Sequence, residues 1–271
     1  MIEQGTVVRH EFAIRRLTVT AVRKLSPGFT RITFGGSDLD GFTSSGPSDH
    51  CKVFFPDPAT GTITAPSIVD GSLQRPTSGT AYVRDYTPRA FRDGASPELD
   101  IDFYLHGDGV ASAWAESASV GDPLVVAGPR GSRMPPTGMT TVILAADETA
   151  LPALARWIEE LPEEIEVVAF AKVANESDAA YLEPAHVNRA RLIWLDNDAD
   201  ALERAFRACE STMEHTAVWA AGESTSLIPV RRYLRRELGL PAAQVKIDGY
   251  WKQGEIAHDH HAPVDPSDPE D

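Results

Sequence analysis

In the first half of the chain, apolar and polar residues alternate in short runs broken by Gly, Pro, Ser and Asp. The runs "RRLTVTAVRKL", "FTRITFGG", "CKVFFPD", "AYVRDYT", "LDIDFYLHG" and "DPLVVAGP" each carry the period of two expected of an antiparallel strand. Their spacing predicts a six-stranded-type antiparallel β-barrel over residues 1–135. "GPRGSRMPPTG" then interrupts the pattern, and beyond it strand-like apolar runs alternate with helical ones. "TTVILAAD" leads into "ETALPALARWIEEL", where Ala150, Leu154, Trp157 and Ile158 fall on one helical face. "IEVVAFAKV", "ARLIWLD", the helical "DALERAFRACE", "TAVWAAG", the helical "ESTSLIPVRRYLRREL" and "AAQVKIDGYW" continue the alternation. This predicts a small doubly wound parallel-sheet domain over residues 136–257. Residues 258–271, ending "VDPSDPED", read as a disordered acidic tail.

Composition narrows the class. The chain has 271 residues, 42% hydrophobic and 24% charged, enough apolar mass for two cores. No segment approaches the ~18 uninterrupted apolar residues of a membrane helix. "MIEQGTVVRHEFAIRRL" lacks the apolar stretch of a secretory signal, so a cytoplasmic location is expected. The formal net charge of −15 disfavours nucleic acid and anionic membranes except at a local basic patch. Two cysteines, Cys51 and Cys209, are too few for an iron–sulfur cluster and read as buried small apolar residues.

Candidate chemistry begins in "YVRDYTPRAF". Arg84 and Tyr86 share one side of a strand, followed by Thr87 and the strand-ending Pro88. A fixed cation beside a flat aromatic suits a ligand with a planar ring and a phosphate, such as a flavin nucleotide. An edge strand with ordinary surface residues explains the same stretch. "DFYLHGDGVASAWAES" runs from a strand through Gly107 and Gly109 into a helix whose first N–H groups offer a phosphate site. In "AAGEST" a strand ends at Gly222, and a helix starts at Glu223, Ser224 and Thr225. These residues either cap the helix or hold a phosphate or ribose. The second half has no GxGxxG fingerprint. "HDHH", with His258, His260 and His261, has the composition of a metal site but sits on the expected tail, where weak adventitious binding explains it; no metal site is expected.

Taken in order, "RDYTPRAF", "DIDFYLHGDGVASAWA", "GDPLVVAGPRGS", "ADETALPALARWIEELP", "WAAGESTSLIPVRRYLRRELGL" and "DGYWKQG" resemble the siderophore-interacting, ferric-siderophore reductase family of ferredoxin-reductase-like flavoproteins. Val110 departs from the pattern, standing where the family favours proline. The resemblance implies FAD and NAD(P)H as cofactor and electron donor, and an oxidoreductase acting on ferric siderophores. It implies flavin contacts at Arg84, Tyr86, Thr87, Asp102, Phe103, Leu105, His106, Gly109, Ala111 and Ser112, with Asp147, Thr149 and Ala150 near the adenine end. It implies nicotinamide contacts at Gly222, Glu223 and Ser224, and substrate contacts at Lys52, Arg130 and Lys252.

The chemistry implied needs no nucleophile or general acid from the chain. A flavin accepts a hydride and releases single electrons, the only kind Fe(III) takes up. Reduction to Fe(II) weakens the hold of hard siderophore oxygens, so the iron arrives inside the substrate. Two other functions fit the same residues: a flavin diaphorase serving a protein acceptor, and a non-catalytic flavin-containing siderophore-binding protein. Nothing in the sequence demands more than a monomer.

Overall fold

The computed structural model describes residues 2–107, 109–209 and 213–269. Its backbone falls into two compact units. One spans residues 7–133, and the other joins the six N-terminal residues to residues 134–271. Glu210, at the end of the expected helix "DALERAFRACE", and residues 270 and 271 of the expected tail lie outside the described residues, as do Met1 and Asp108.

The strands of the first unit are β1 (Val7–Arg9), β2 (Ile14–Ser26), β3 (Phe29–Gly35), β4 (Cys51–Phe55), β5 (Ser67–Val69), β6 (Ser72–Gln74), β7 (Tyr82–Tyr86), β8 (Pro88–Arg92), β9 (Glu98–Tyr104), β10 (Pro123–Ala127) and β11 (Gly131–Arg133). Seven of them form one antiparallel sheet in the order β7-β4-β10-β2-β3-β9-β8. The barrel expected from the alternation is thus a curled seven-stranded sheet. Its edge strands β7 and β8 are joined through Thr87 rather than by a ladder. Bulges in the β2–β3 pairing, between Val19 and Ala21 and between Lys24 and Ser26, help bend the long strands. The interior is built from Leu17, Val19, Ile32, Phe34, Val53, Phe55, Leu99, Ile101 and Phe103, all nearly inaccessible. Helix α1 (Val110–Ser117) packs Ala111 and Ala115 into this core. Its Trp114 ring stacks 6.3 Å from Phe34 and lies 5.5 Å from Phe55. Cys51 is fully buried in the same core, and neither cysteine is in a disulfide.

The second unit contains β12 (Thr141–Ala146), α2 (Leu151–Glu160), β13 (Glu166–Lys172), α3 (Pro184–Arg189), β14 (Arg191–Leu195), α4 (Ala201–Ala208), β15 (Thr216–Glu223), α5 (Ser224–Arg232) and β16 (Val245–Trp251). Its five strands pair in parallel in the order β14-β13-β12-β15-β16. The chain builds outward from β12 through β13 to β14, then crosses to β15 on the other side. The strand order therefore reverses between β12 and β15, the place where doubly wound folds open a crevice beyond the carboxyl ends. Cys209 is half-buried against this unit's core.

The C-terminal segment is not the loose tail expected from its composition. Val264 is buried in the core cluster under α5, and Asp265 is buried too. Asp265 pairs with Arg232 at 2.6 Å, and Asp268 pairs with Arg231 at 3.0 Å and with Arg236. Arginines on α5 and the helical turn after it pair with Asp265 and Asp268, two of the acidic residues that suggested disorder, and one valine anchors the segment.

Candidate functional sites

In the first unit the site is built on β7. Tyr82, Arg84 and Tyr86 share one face of this strand, and Val83 and Asp85 share the other. Tyr86 lies with its ring 4.6 Å from Phe103 and 6.1 Å from Phe55, half-buried against the core. Burial holds its phenol well above the usual tyrosine range, opposed by the charge of Arg84, so the hydroxyl stays a neutral donor. Arg84 is half-buried, and its Nη1 donates to the Val83 carbonyl at 2.7 Å, fixing the guanidinium against the strand. Thr87 is buried at the passage from β7 to β8.

The end of β9 and the loop after it carry the next residues. Asp102 and Phe103 point to opposite sides. Phe103 is interior, between Tyr86 and Trp114. Asp102 receives Nε and Nη2 of Arg31, each at 2.7 Å, with Arg89 Nε 3.9 Å away. Sequence reasoning put both side chains beside the flavin; here one lies in the core and the other is held by two arginines. Arg31 stands directly opposite Asp102 in the β3–β9 register, a relation that appears only once the pairing is known. Leu105 is half-buried against the core, and His106 is exposed. The His106 N–H donates to Ser112 Oγ at 2.9 Å, tying the loop to the first turn of α1. Gly107, at φ 54°, makes the left-handed step that this loop requires. Gly109 is the N-cap of α1 in extended conformation, with no side-chain cap. The first N–H groups of the helix, at Val110, Ala111 and Ser112, have no partner within it. Val110 occupies the first helical position, where a proline is also readily accommodated.

Of the three basic residues expected to meet substrate, each is engaged locally. Lys52 reaches both oxygens of Asp85, its cross-strand neighbour, at 3.1 Å. Arg130 lies over the Phe12 ring, 4.5 Å from its centroid. Lys252, in the second unit, pairs with Glu255 at 2.5 Å.

In the second unit the expected residues converge on the switch between β12 and β15. Asp147, directly after β12, accepts from Thr149 N at 2.9 Å, Thr149 Oγ1 at 2.6 Å, Glu223 N at 2.8 Å and Trp251 Nε1 at 2.7 Å. Burial pushes this carboxyl up, and those four donors oppose the shift. Gly222 must be glycine: its φ is 149°, and a Cβ would lie 2.6 Å from Asp147 Cγ. Ala150 is buried at the start of α2. Burial also raises the carboxyl of Glu148, whose oxygen accepts the Ala174 N–H. Glu223 caps α5 by accepting Ser226 N at 2.7 Å and takes Gln253 N at 3.2 Å. Burial raises its carboxyl, but these N–H donors outweigh it and hold it below the usual range. Ser224 is buried, with Oγ 3.0 Å from the Trp251 carbonyl and 3.0 Å from His258 Nε2, while His258 Nδ1 lies 2.9 Å from Glu255. Sequence reasoning gave no role to Trp251 and left His258 on a loose tail. Here Trp251 ties β16 to Asp147, and His258 closes over Ser224.

Comparison with known proteins agrees with this architecture. The profile of the siderophore-interacting FAD-binding domain matches residues 18–133, and that of the siderophore-interacting protein matches residues 139–254. The chain is similar to the NADPH-dependent ferric-chelate reductase of Escherichia coli K12, 37% identical over 90% of this chain and 95% of that protein. It is also similar to the ferric vibriobactin reductase of Vibrio cholerae, 29% identical over 91% and 92%. Among solved structures, a siderophore utilization protein from T. fusca superposes with a TM-score of 0.87, at 38% identity, covering 96% of this chain and all of that one. The chain belongs to the siderophore-interacting protein family.

Proposed function

We propose that the chain is a FAD-dependent reductase that takes electrons from NAD(P)H and delivers them to Fe(III) held by a siderophore, releasing Fe(II). The observation that carries the flavin half of this reading is the donor set around β7 and α1. A half-buried guanidinium at Arg84, a neutral tyrosine at Tyr86 and an uncapped helix start at Gly109 fit the phosphates and flat ring of FAD. When bound, FAD supplies the exchange between a two-electron hydride and the single electrons that Fe(III) accepts.

The chain's own part is binding and orientation. Arg84 neutralises phosphate charge, and its bond to the Val83 carbonyl limits the rotamer freedom lost on binding. The α1 N–H groups add donors that need no rearrangement, because Ser112 already fixes the loop. Tyr86 offers an aromatic face backed by Phe103, which stops the ring from sinking inward. The Arg31–Asp102 pair, with Arg89 near it, holds the end of β9 against β3 and so fixes the loop leading to α1. In the second unit, Gly222, Glu223 and Ser224 at the switch between β12 and β15 are the nicotinamide contacts of this reading. Lys52, Arg130 and Lys252 are the cations that meet an anionic ferric complex.

The test is capture of Fe(II) by a chromogenic chelator, in anaerobic mixtures of FAD-loaded protein, NADPH or NADH, and a ferric siderophore. Fe(II) appearing only with protein and nicotinamide together supports the reductase. Flavin bleaching without Fe(II) favours a diaphorase, and neither event leaves a binding protein.

A further inference from the structure

We propose that residues 252–262 form a strap latched over the carboxyl end of β15, competing with nicotinamide nucleotide for the switch crevice. The inference rests on the reading of Gly222, Glu223 and Ser224 as the nicotinamide contacts and adds a regulatory device to that site.

The strap occupies the polar groups a nucleotide would use. His258 Nε2 lies 3.0 Å from Ser224 Oγ, and Gln253 N donates to Glu223 at 3.2 Å. Glu255 links the two ends, binding His258 Nδ1 at 2.9 Å and Lys252 at 2.5 Å. Ser224, His258 and Glu255 have the order of a hydrolytic triad, but the surroundings rule out that role. Ser224 is 4% exposed and packed so closely on β16 that a Cβ at Gly249 would lie 2.2 Å from its Oγ. The α5 N–H that would stabilise an oxyanion, at Ser226, already faces the Glu223 carboxylate at 2.7 Å. The chain of bonds is a fastening.

Two features mark the latched form as one of two states. Ala257, between Glu255 and His258, sits at φ 55°, a left-handed conformation costly for a residue with a Cβ. Beside it, Ile256 is 87% exposed, an apolar side chain left in water. Both penalties fall on the strap, whereas the segment beyond it is firmly held by Val264 in the core and by Asp265 and Asp268 on three arginines. The strap can therefore open about a strained hinge while its far end stays docked. Opening removes His258 from Ser224 Oγ, which keeps its bond to the Trp251 carbonyl.

A closed fraction dilutes the binding-competent form and raises the apparent dissociation constant in proportion. His258→Ala removes the latch, and Ala257→Pro forbids the closed backbone without touching any latch side chain. Binding of NADP+ and NAD+ to the FAD-loaded full chain is measured by calorimetry, alongside tryptic cleavage after Lys252. Loss of one or two net hydrogen bonds predicts about three- to tenfold tighter nucleotide binding in both variants. In the wild type, nucleotide should speed cleavage of the Lys252–Gln253 bond, whose N–H faces Glu223 when latched. Equal affinities in all three proteins, or nucleotide slowing that cleavage, would overturn the strap. If no form binds either nucleotide while the flavin remains bound, the nicotinamide reading of the crevice fails, and the strap fails with it.

Discussion

At the residue scale a few side chains differ in work because their environments differ. Arg84 is held on its own strand; with the phosphate role proposed for it, Arg84→Ala should purify largely without flavin. A charge-assisted contact of about 1.5–3 kcal/mol corresponds to about a tenfold or greater loss of affinity. Tyr86→Phe keeps the ring and its packing on Phe103 and should retain flavin with an altered absorption spectrum. Full FAD occupancy in Arg84→Ala, read from the released flavin after denaturation, would remove β7 from the cofactor site. Asp102 calls for a different expectation. Its carboxylate is buried between Arg31 and Arg89, so Arg31→Ala leaves a poorly compensated charge and should destabilise the fold by about 3 kcal/mol. A lower urea midpoint at unchanged slope would show it; an unchanged midpoint would make the pair incidental. The placement of Arg84 and Tyr86 on one strand face and of Gly109 at a helix start was legible in the sequence, because spacing within one strand or turn carries that signal. The Arg31–Asp102 pair was not, since its partners are 71 residues apart and meet only through strand register.

At the element scale the alternation of polar and apolar residues gave the strands their faces, and helical spacing placed Ala150, Leu154, Trp157 and Ile158 in the core, where all four lie. The C-terminal segment misled, because composition reports charge and not the charges that meet it. Asp265 and Asp268 are held low by hydrogen bonds from Arg232 and from Arg236 and Arg231, Asp265 at about 2. A depressed carboxylate contributes its stability above its unfolded value, near ~3.9, and loses it as pH falls through the folded one. Docking of residues 264–268 should therefore weaken between about pH 4 and pH 2 and be constant from about pH 5 upward. Asp268→Asn should reproduce that weakening at neutral pH, seen as faster amide exchange confined to this segment. Exchange unchanged in Asp268→Asn would mean that the Asp268 pairs do not hold the segment, leaving it to Val264 and the Asp265–Arg232 pair.

At the scale of the whole molecule, a protein of net charge −15 must draw in ferric complexes that are often anionic. Lys52→Ala, Arg130→Ala and Lys252→Ala each lower the local charge by one unit. They should slow reaction with an anionic ferric siderophore, leave a neutral one unaffected, and lose their effect as salt shortens the Debye length from ~10 Å at 0.1 M to ~3 Å at 1 M. Equal losses on both substrates would point to a disturbed flavin site. The two-part architecture was readable because strand-only and strand–helix grammar differ along the chain. The links that finish the switch site of the second unit were not, since Trp251 meets Asp147 across 104 residues and His258 meets Ser224 across 34. Double-mixing stopped flow follows the passage of electrons from nicotinamide through bound flavin to siderophore iron. FAD-loaded protein is first bleached anaerobically with one equivalent of NADPH, then mixed with a ferric siderophore and an Fe(II) chelator. Flavin absorbance should recover together with release of two Fe(II) per flavin, because a hydride carries two electrons and Fe(III) takes one. Flavin that stays bleached in the presence of the ferric siderophore, with no Fe(II) trapped, would contradict it.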